Sequence, residues 1–140
     1  VKAPYVEYEL LSQRLMRLFR AMEPNPADDL PLSTPNSNLG LGVRRNIDIR
    51  VSDGMVASGT QGLSCFSEVG RIPPQYLPVE YDDGLNESTR VFEIETERLD
   101  PTLDAHQTKA AHYVLRPSAD MSFADYEAAI ENTRPMWSLT

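Results

Sequence analysis

The sequence predicts a single α+β domain over residues 1–140, with short, mainly antiparallel strands and one helix near each end. Two observations predict this class. Apolar and polar side chains alternate in the middle of the chain, and apolar side chains recur at helical spacing towards its two ends. The length of 140 residues is that of one domain, since domains usually have roughly 100–200 residues. A chain that starts at Val1 rather than Met is expected of an excised domain or a processed product.

The first predicted element is an amphipathic helix before residue 23. The apolar residues at helical spacing are Tyr8, Leu11, Leu15, Leu18 and Met22. The last part, residues 18–22, fits a short buried strand equally well, because a short apolar run has no diagnostic period. Residues 23–42 are rich in Pro, Asn, Asp, Ser and Gly, which predicts a long loop. Loops of this length are unusual in compact domains and are typically functional or mobile, and we expect a mobile one here.

Short strands are predicted in the middle of the chain. Ile47, Ile49 and Val51 alternate with polar neighbours, which is typical of a half-buried strand. Further extended segments are predicted at residues 55–57, 91–94 and 111–115. Residues 58–62 contain two glycines and predict a bend that leads into residues 63–66.

The last predicted element is a helix that begins after Ser122. A serine can cap a helix start, and Asp125 stands three residues further on, as in a capping box. Phe123, Tyr126 and Ile130 then share one apolar face. The pattern thus predicts both where this helix begins and which side of it is buried.

Composition excludes several classes of protein. The mean hydropathy is −0.40, and no stretch of about 18 uncharged apolar residues is present, so we expect no membrane-spanning helix. Thirteen Lys and Arg against 21 Asp and Glu give a net charge of −8, which repels phosphate backbones and makes nucleic acid a poor partner. A single cysteine, Cys65, excludes a disulfide framework and a multi-thiolate zinc site. His106 and His112 have no spacing that demands a metal, and none is predicted.

Several polar residues have both a chemical and a structural interpretation. Glu93, Glu95 and Glu97 share one face of a predicted strand, where two carboxylates about 7 Å apart could stabilise positive charge. The solvated edge of an antiparallel sheet gives the same pattern without catalysis, and we favour that interpretation. His112 lies in an apolar strand, as a core histidine would, and Cys65 is typical of an inert buried thiol.

The order of several short motifs carries more information than any one of them. The motifs in chain order are Leu18-Phe19-Arg20-Ala21-Met22, Arg44-Arg45, Asp48-Ile49, Asp53-Gly54, Gly62-Leu63-Ser64-Cys65-Phe66, Asp83-Gly84 and Ala110-Ala111-His112-Tyr113-Val114-Leu115-Arg116-Pro117. This series resembles the Tse2-like family of type VI secretion toxins, which is grouped with the ADP-ribosyltransferase toxins, over residues 15–137. The resemblance implies an ADP-ribosyltransferase-like core, with two small, mainly antiparallel sheets and flanking helices around a cleft for NAD.

The resemblance also implies roles for individual residues. The cofactor-binding residues that it implies are Arg20, Arg44, Arg45, Ser64 and Tyr113. The catalytic residues that it implies are Ser64, His112 and, as the best candidate for the carboxylate, Glu95. In this scheme Arg20 lies near the NAD phosphates or the adenosine ribose, and Ser64 lies beside the nicotinamide. Leu63 departs from the family pattern, which has a hydroxylated residue at that position.

The function implied by the resemblance is that of an NAD-dependent ADP-ribosyltransferase toxin. Its acceptor is expected to be a protein inside a target or producing cell, where the toxin acts in the cytoplasm. Export by a non-classical route and an immunity protein that protects the producer are further implications. The alternative is the same fold with a degraded site, which serves as an interaction or nucleotide-binding module. An NAD-using 2′-phosphotransferase that acts on RNA ends is disfavoured by the acidic charge.

A physical argument supports the implied cofactor. Arg20 lies within an apolar run, where burial of a charge without a partner is costly. The two phosphates of NAD are anionic, and a planar guanidinium binds phosphate oxygens through paired hydrogen bonds. A bound anionic ligand would therefore offset the cost of burying this arginine.

Overall fold

The computed structural model describes residues 16–140, which form two antiparallel sheets and one α-helix. The elements are β1 (Arg17–Met22), β2 (Met55–Val56), β3 (Leu63–Phe66), β4 (Arg90–Glu95), β5 (Leu103–Lys109), β6 (His112–Pro117), β7 (Met121–Ser122), α1 (Phe123–Asn132) and β8 (Ser138–Leu139). The large sheet has the strand order β5-β6-β3-β1-β4-β8, and β2 pairs with β7 in the small one. Every pairing of these strands is antiparallel, which confirms the α+β class and the mainly antiparallel sheets.

The main core lies against one face of the large sheet. Leu18 and Met22 of β1 and Phe92 of β4 are almost completely buried, because alternate residues of a strand point to the same face. Tyr126 and Ile130 of α1 belong to the same buried apolar cluster. The predicted apolar face of the helix is thus the face that closes the core.

A smaller apolar cluster lies on the opposite face of the sheet. It contains Ala21 of β1 and Val91 of β4, together with Ile72 and Leu77 from the segment that connects β3 to β4. The hydroxyl of Thr89 donates to the carbonyl of Tyr76 at 2.6 Å and holds that connection against the sheet. Both faces of β1 and β4 are therefore covered.

The two central strands of the large sheet, β1 and β3, pair with each other over a very short length. They pair at a single position, Phe19 with Phe66, whereas β1 and β4 pair along their whole lengths. The sheet therefore consists of two halves, β5-β6-β3 and β1-β4-β8, that meet at a narrow junction. Backbone groups beside this junction can be bound by side chains instead of by a neighbouring strand.

The structure corrects the helix predicted before residue 23. Residues 17–22 are strand β1, as the alternative for residues 18–22 predicted, and their backbone groups are used in pairing with β4. Tyr8, Leu11 and Leu15 lie outside the described residues. The flanking helices are consequently fewer than predicted, with α1 as the one α-helix among residues 16–140.

The strand predicted at residues 47–51 is wrong, because these residues begin within a turn. The Asp48 carboxylate accepts the backbone N–H of Arg44 at 2.7 Å, and its own N–H donates to the Arg44 carbonyl at 2.9 Å. Asn46 adopts a left-handed conformation with φ 61°, and its side-chain oxygen accepts from the N–H of Val51. Local side-chain hydrogen bonds have here replaced strand pairing.

The other predicted elements agree with the structure. The hydroxyl of Ser122 accepts the N–H of Asp125 at 3.0 Å and caps α1. Strands are present at three of the remaining predicted places, β2, β4 and β6, and the bend at 58–62 does lead into a strand, β3. The sequence pattern did not indicate β5, β7 or β8.

The segment of residues 23–42 contains no regular strand or helix and is tied to the rest of the protein at several points. The N–H of Glu23 donates to the Leu39 carbonyl at 2.6 Å. The guanidinium of Arg134 binds both carboxylate oxygens of Asp28 at 2.8 Å. Gly40 packs so closely that an added Cβ would lie 2.2 Å from a backbone oxygen, so a larger residue would not fit. Mobility of the loop and the single-domain organisation stay predictions.

Candidate functional site

A cavity of about 480 Å³ opens beside the junction of the two sheet halves. Among the described residues that line it, the basic ones are Arg20, Arg44, Arg71 and Lys109, and the one acidic residue is Asp48. The lining is therefore positively charged in a protein whose net charge is −8. Such a concave basic surface attracts an anionic ligand.

Arg20 reaches this cavity from β1, and its side chain is bound by backbone carbonyls. Its residue is only 9% exposed. Nη1 donates to the carbonyl of Ser64 at 2.8 Å, across the narrow junction. Nη2 donates to the carbonyls of Asn38 and Gly40 at 3.1 and 3.0 Å, and Nε donates to Gly40 at 3.2 Å. Arg20 thus connects both sheet halves to the loop of residues 23–42.

The charge of Arg20 is not neutralised by a carboxylate. Within residues 16–140, no ion pair includes Arg20, and burial lowers the pKa of its guanidinium. The four bonds to carbonyls use four of the five guanidinium N–H groups and leave one on Nη1. A buried cation with an unused donor beside a cavity is suited to an anionic ligand.

Arg44 and Asp48 form a second charged unit in the cavity wall. The carboxylate of Asp48 accepts from Nη2 of Arg44 at 3.0 Å and from Nε at 3.3 Å. This pairing raises the pKa of Arg44 above its usual value, against the opposing effect of burial. Arg45, the other arginine of the motif, lies outside the cavity lining, with its guanidinium 5.2 Å from the centre of the Phe123 ring.

Ser64 and His112 meet on neighbouring strands of one sheet half. Ser64 pairs with Val114 and Phe66 pairs with His112, so the side chains of Ser64 and His112 stand on the same face. The Ser64 hydroxyl lies 3.2 Å from Nε2 of His112. Burial, together with the nearby Lys109, lowers the pKa of His112 below its usual value, so the ring is neutral at pH 7. A neutral imidazole can accept a proton from the hydroxyl or donate one to it.

Besides Arg45, two further sequence-predicted site residues do not lie at this cavity. Glu95 stands at the end of β4, in register with Arg17 and two strands away from Ser64. Tyr113 stands on the face of β6 opposite to His112 and lines a smaller depression near Met16. The structure therefore brings together Arg20, Arg44, Ser64 and His112, and separates them from Arg45, Glu95 and Tyr113.

The structure also adds residues that the sequence did not single out. Lys109 and Arg71 contribute positive charge to the cavity, and Tyr76 accepts a hydrogen bond from the Asn38 side chain at 3.4 Å. Lys109 immediately precedes the Ala-Ala-His motif, so its place in the hairpin could have indicated it. Arg71 and Tyr76 lie in a long irregular connection, for which the sequence pattern gives no position.

Other candidate chemistry within residues 16–140 is limited. No group of three or more His, Cys, Asp or Glu side chains in this range is arranged to hold a metal ion. Burial raises the pKa of the Cys65 thiol to about 12, so the thiol is protonated and unreactive at neutral pH. No helix in the same range is long and apolar enough to cross a membrane.

A mainly antiparallel α+β protein with a basic cavity beside the junction of its central strands is consistent with the ADP-ribosyltransferase-like class of folds. The family model of the Tse2 ADP-ribosyltransferase toxin matches residues 16–137. The chain therefore belongs to this toxin family, which confirms the resemblance seen in the ordered motifs. No curated protein and no solved structure matches the chain.

Proposed function

We propose that this protein is an NAD-dependent toxin that transfers ADP-ribose to an acceptor inside a target cell. The observation that carries the proposal is the buried Arg20, which lines the cavity, has no carboxylate partner among the described residues and keeps one N–H unused. NAD supplies a pyrophosphate and a nicotinamide–ribose bond that can be broken in a transfer reaction. The family to which the chain belongs is named for this activity.

The basic residues provide a place for the two phosphates. The unused N–H of Arg20 would bind a phosphate oxygen and offset the cost of burying the guanidinium. Arg71 and Lys109 add long-range attraction at the same cavity. Arg44 is held by Asp48, so it presents a fixed guanidinium edge rather than a mobile one.

Ser64 and His112 would act on the other part of the ligand. The serine hydroxyl can hold a ribose hydroxyl or the nicotinamide amide by a hydrogen bond, since it has one donor and two acceptor positions. His112 fixes the direction of that hydroxyl through Nε2. A ribose held in one orientation is ready for attack by an acceptor in line with the bond that breaks.

The acceptor proposed here is a protein. The net charge of −8 disfavours binding to a nucleic-acid backbone. Action in the cytoplasm of the target cell, delivery by a non-classical export route, and neutralisation by an immunity protein in the producer belong to the same proposal. They follow from the toxin family rather than from any contact within the cavity.

One observation favours a second candidate function. Within the described residues, Asp48 is the one carboxylate in the cavity lining, and it is engaged by Arg44, whereas Glu95 lies outside. A site without a free carboxylate can bind a dinucleotide more readily than it can stabilise the positive charge that develops during transfer. The second candidate is therefore a nucleotide-binding module on a degraded transferase site.

Incubation with NAD separates the two candidates. Nicotinamide release and labelling of lysate proteins from tagged NAD would be measured for the wild type, Ser64→Ala and the control Glu95→Gln. Transfer predicts release and labelling that fall at least about 10-fold in Ser64→Ala and persist in Glu95→Gln. Binding by calorimetry without release or labelling supports the nucleotide-binding module. Absence of both binding and release contradicts both candidates.

A further inference from the structure

Thr108 occupies an irregular position in strand β5. Gln107 pairs with Tyr113 and Lys109 pairs with His112, so Thr108 is an extra residue on its strand. A β-bulge of this kind breaks the alternation of side chains and can turn the extra residue towards a functional site. Here the hydroxyl of Thr108 meets the imidazole of His112.

The imidazole of His112 therefore stands between two hydroxyl groups. On one side, Nδ1 is hydrogen-bonded to Oγ1 of Thr108. On the other side, Nε2 lies 3.2 Å from Oγ of Ser64. The ring of Phe66 packs edge to face against the imidazole at a centroid distance of 5.2 Å and restricts its rotation. Both ring nitrogens are thus engaged while the ring is held in place.

The hydrogen-bonding capacity of Thr108 provides a physical reason for one tautomer of His112. The Oγ1 atom of Thr108 carries one proton. This oxygen lies 3.4 Å from the backbone carbonyl oxygen of His112, which can only accept a hydrogen bond. When the threonine proton is directed to this carbonyl, Oγ1 is left as an acceptor for an Nδ1–H group. The neutral ring then has its lone pair on Nε2, where it accepts the proton of the Ser64 hydroxyl.

We propose that Thr108 is a positioning residue that holds His112 as the Nδ1–H tautomer, so that the Ser64 hydroxyl donates to Nε2 and turns its oxygen lone pairs into the cavity. The assignment of the tautomer is argued from the hydrogen bonds alone. Its effect on turnover rests on the proposed function. A serine oriented in this way presents an acceptor to a ribose hydroxyl or an amide N–H of the ligand.

The tautomer can be measured without any ligand. In ¹⁵N-labelled protein near pH 7.5, two-bond ¹⁵N–¹H couplings show which imidazole nitrogen is protonated, and His106→Asn assigns the signals of the two histidines. We expect Nδ1–H for His112 in the wild type and in Thr108→Ser, which keeps the hydroxyl. Thr108→Val should shift the population towards Nε2–H. An Nε2–H tautomer in the wild type, or no change in Thr108→Val, overturns the proposal.

Kinetics with NAD test the consequence separately. We expect Thr108→Val to lower kcat for nicotinamide release about 10-fold with KM changed less than about 2-fold, and Thr108→Ser to restore kcat. Thr60→Val is the matched control, because Thr60 is an exposed threonine outside the cavity lining. A loss of kcat in Thr108→Ser equal to that in Thr108→Val contradicts positioning by the hydroxyl. If the wild type releases no nicotinamide, the proposed function fails while the ¹⁵N measurement still decides the role of Thr108.

Discussion

Replacement of Arg20 by methionine tests whether the buried guanidinium stabilises the protein as well as the site. The change removes four hydrogen bonds to the carbonyls of Asn38, Gly40 and Ser64. Hydrogen bonds to a charged group contribute about 1.5–3 kcal/mol each, or roughly 6–12 kcal/mol for four. Burial of the unneutralised guanidinium costs several kcal/mol, which methionine avoids. We therefore expect the free energy of unfolding to fall by about 2–4 kcal/mol.

Urea denaturation followed by tryptophan fluorescence measures this loss, because the single tryptophan, Trp137, is buried in the core. With a denaturant dependence of roughly 2 kcal/mol per molar urea, the midpoint of Arg20→Met should fall by about 1–2 M. Arg17→Met is the matched control on the same strand. The Arg17 side chain is 61% exposed, and its contact with Glu93 is 3.9 Å, so its loss should change stability by less than about 0.5 kcal/mol.

Equal midpoints for Arg20→Met and Arg17→Met would refute this reasoning. They would show that the hydrogen bonds to carbonyls only balance the desolvation of the guanidinium. Arg20 would then contribute nothing to the stability of the free protein, and a role in holding the loop of residues 23–42 against the sheet would be contradicted.

Three further predictions follow from buried groups. Tyr126→Phe should lower the free energy of unfolding, measured by urea denaturation, by about 2–4 kcal/mol. The change leaves the buried Leu63 N–H and Leu115 carbonyl without the hydroxyl that they share. A loss below about 0.5 kcal/mol would contradict this prediction. Cys65 should not react with a thiol reagent at pH 8 until the protein is unfolded, and rapid labelling of the native protein would disprove its burial. The pKa of His112 is lowered in the folded state, so its contribution to stability is complete above pH 6.5 and is lost as the pH falls through the lowered pKa. NMR titration should give a midpoint below 6.5, and a midpoint above it would contradict the burial of the ring.

Sequence reasoning located those elements whose local signals agree with their tertiary environment. The cap at Ser122 and the apolar face with Tyr126 predicted α1 because both signals depend on neighbouring residues alone. Arg20 stood out because a charged residue in an apolar run requires an unusual environment. The order of the motifs then indicated the family, and with it the meeting of Arg20, Ser64 and His112 at one cavity.

The structural features that sequence reasoning missed depend on contacts that the alternation of apolar and polar residues does not encode. Residues 47–51 alternate like a strand, but the Asp48 side chain binds the backbone of Arg44 and makes a turn. The alternation placed Glu93 and Glu95 together on one strand without indicating how far that strand lies from β3. The role of Thr108 depends on a bulge, which a period-two pattern does not indicate.

The narrow junction of β1 and β3 has an implication for how this protein can change over generations. Beside the pairing of Phe19 with Phe66, the side chain of Arg20 on β1 binds the Ser64 carbonyl of β3, so this contact is made by a side chain rather than by a backbone ladder. A single substitution can change a contact that a side chain makes. The backbone hydrogen bonds between two strands change only when a whole strand shifts. Variants with a wider or narrower cavity are therefore within reach of single substitutions that leave both sheet halves intact.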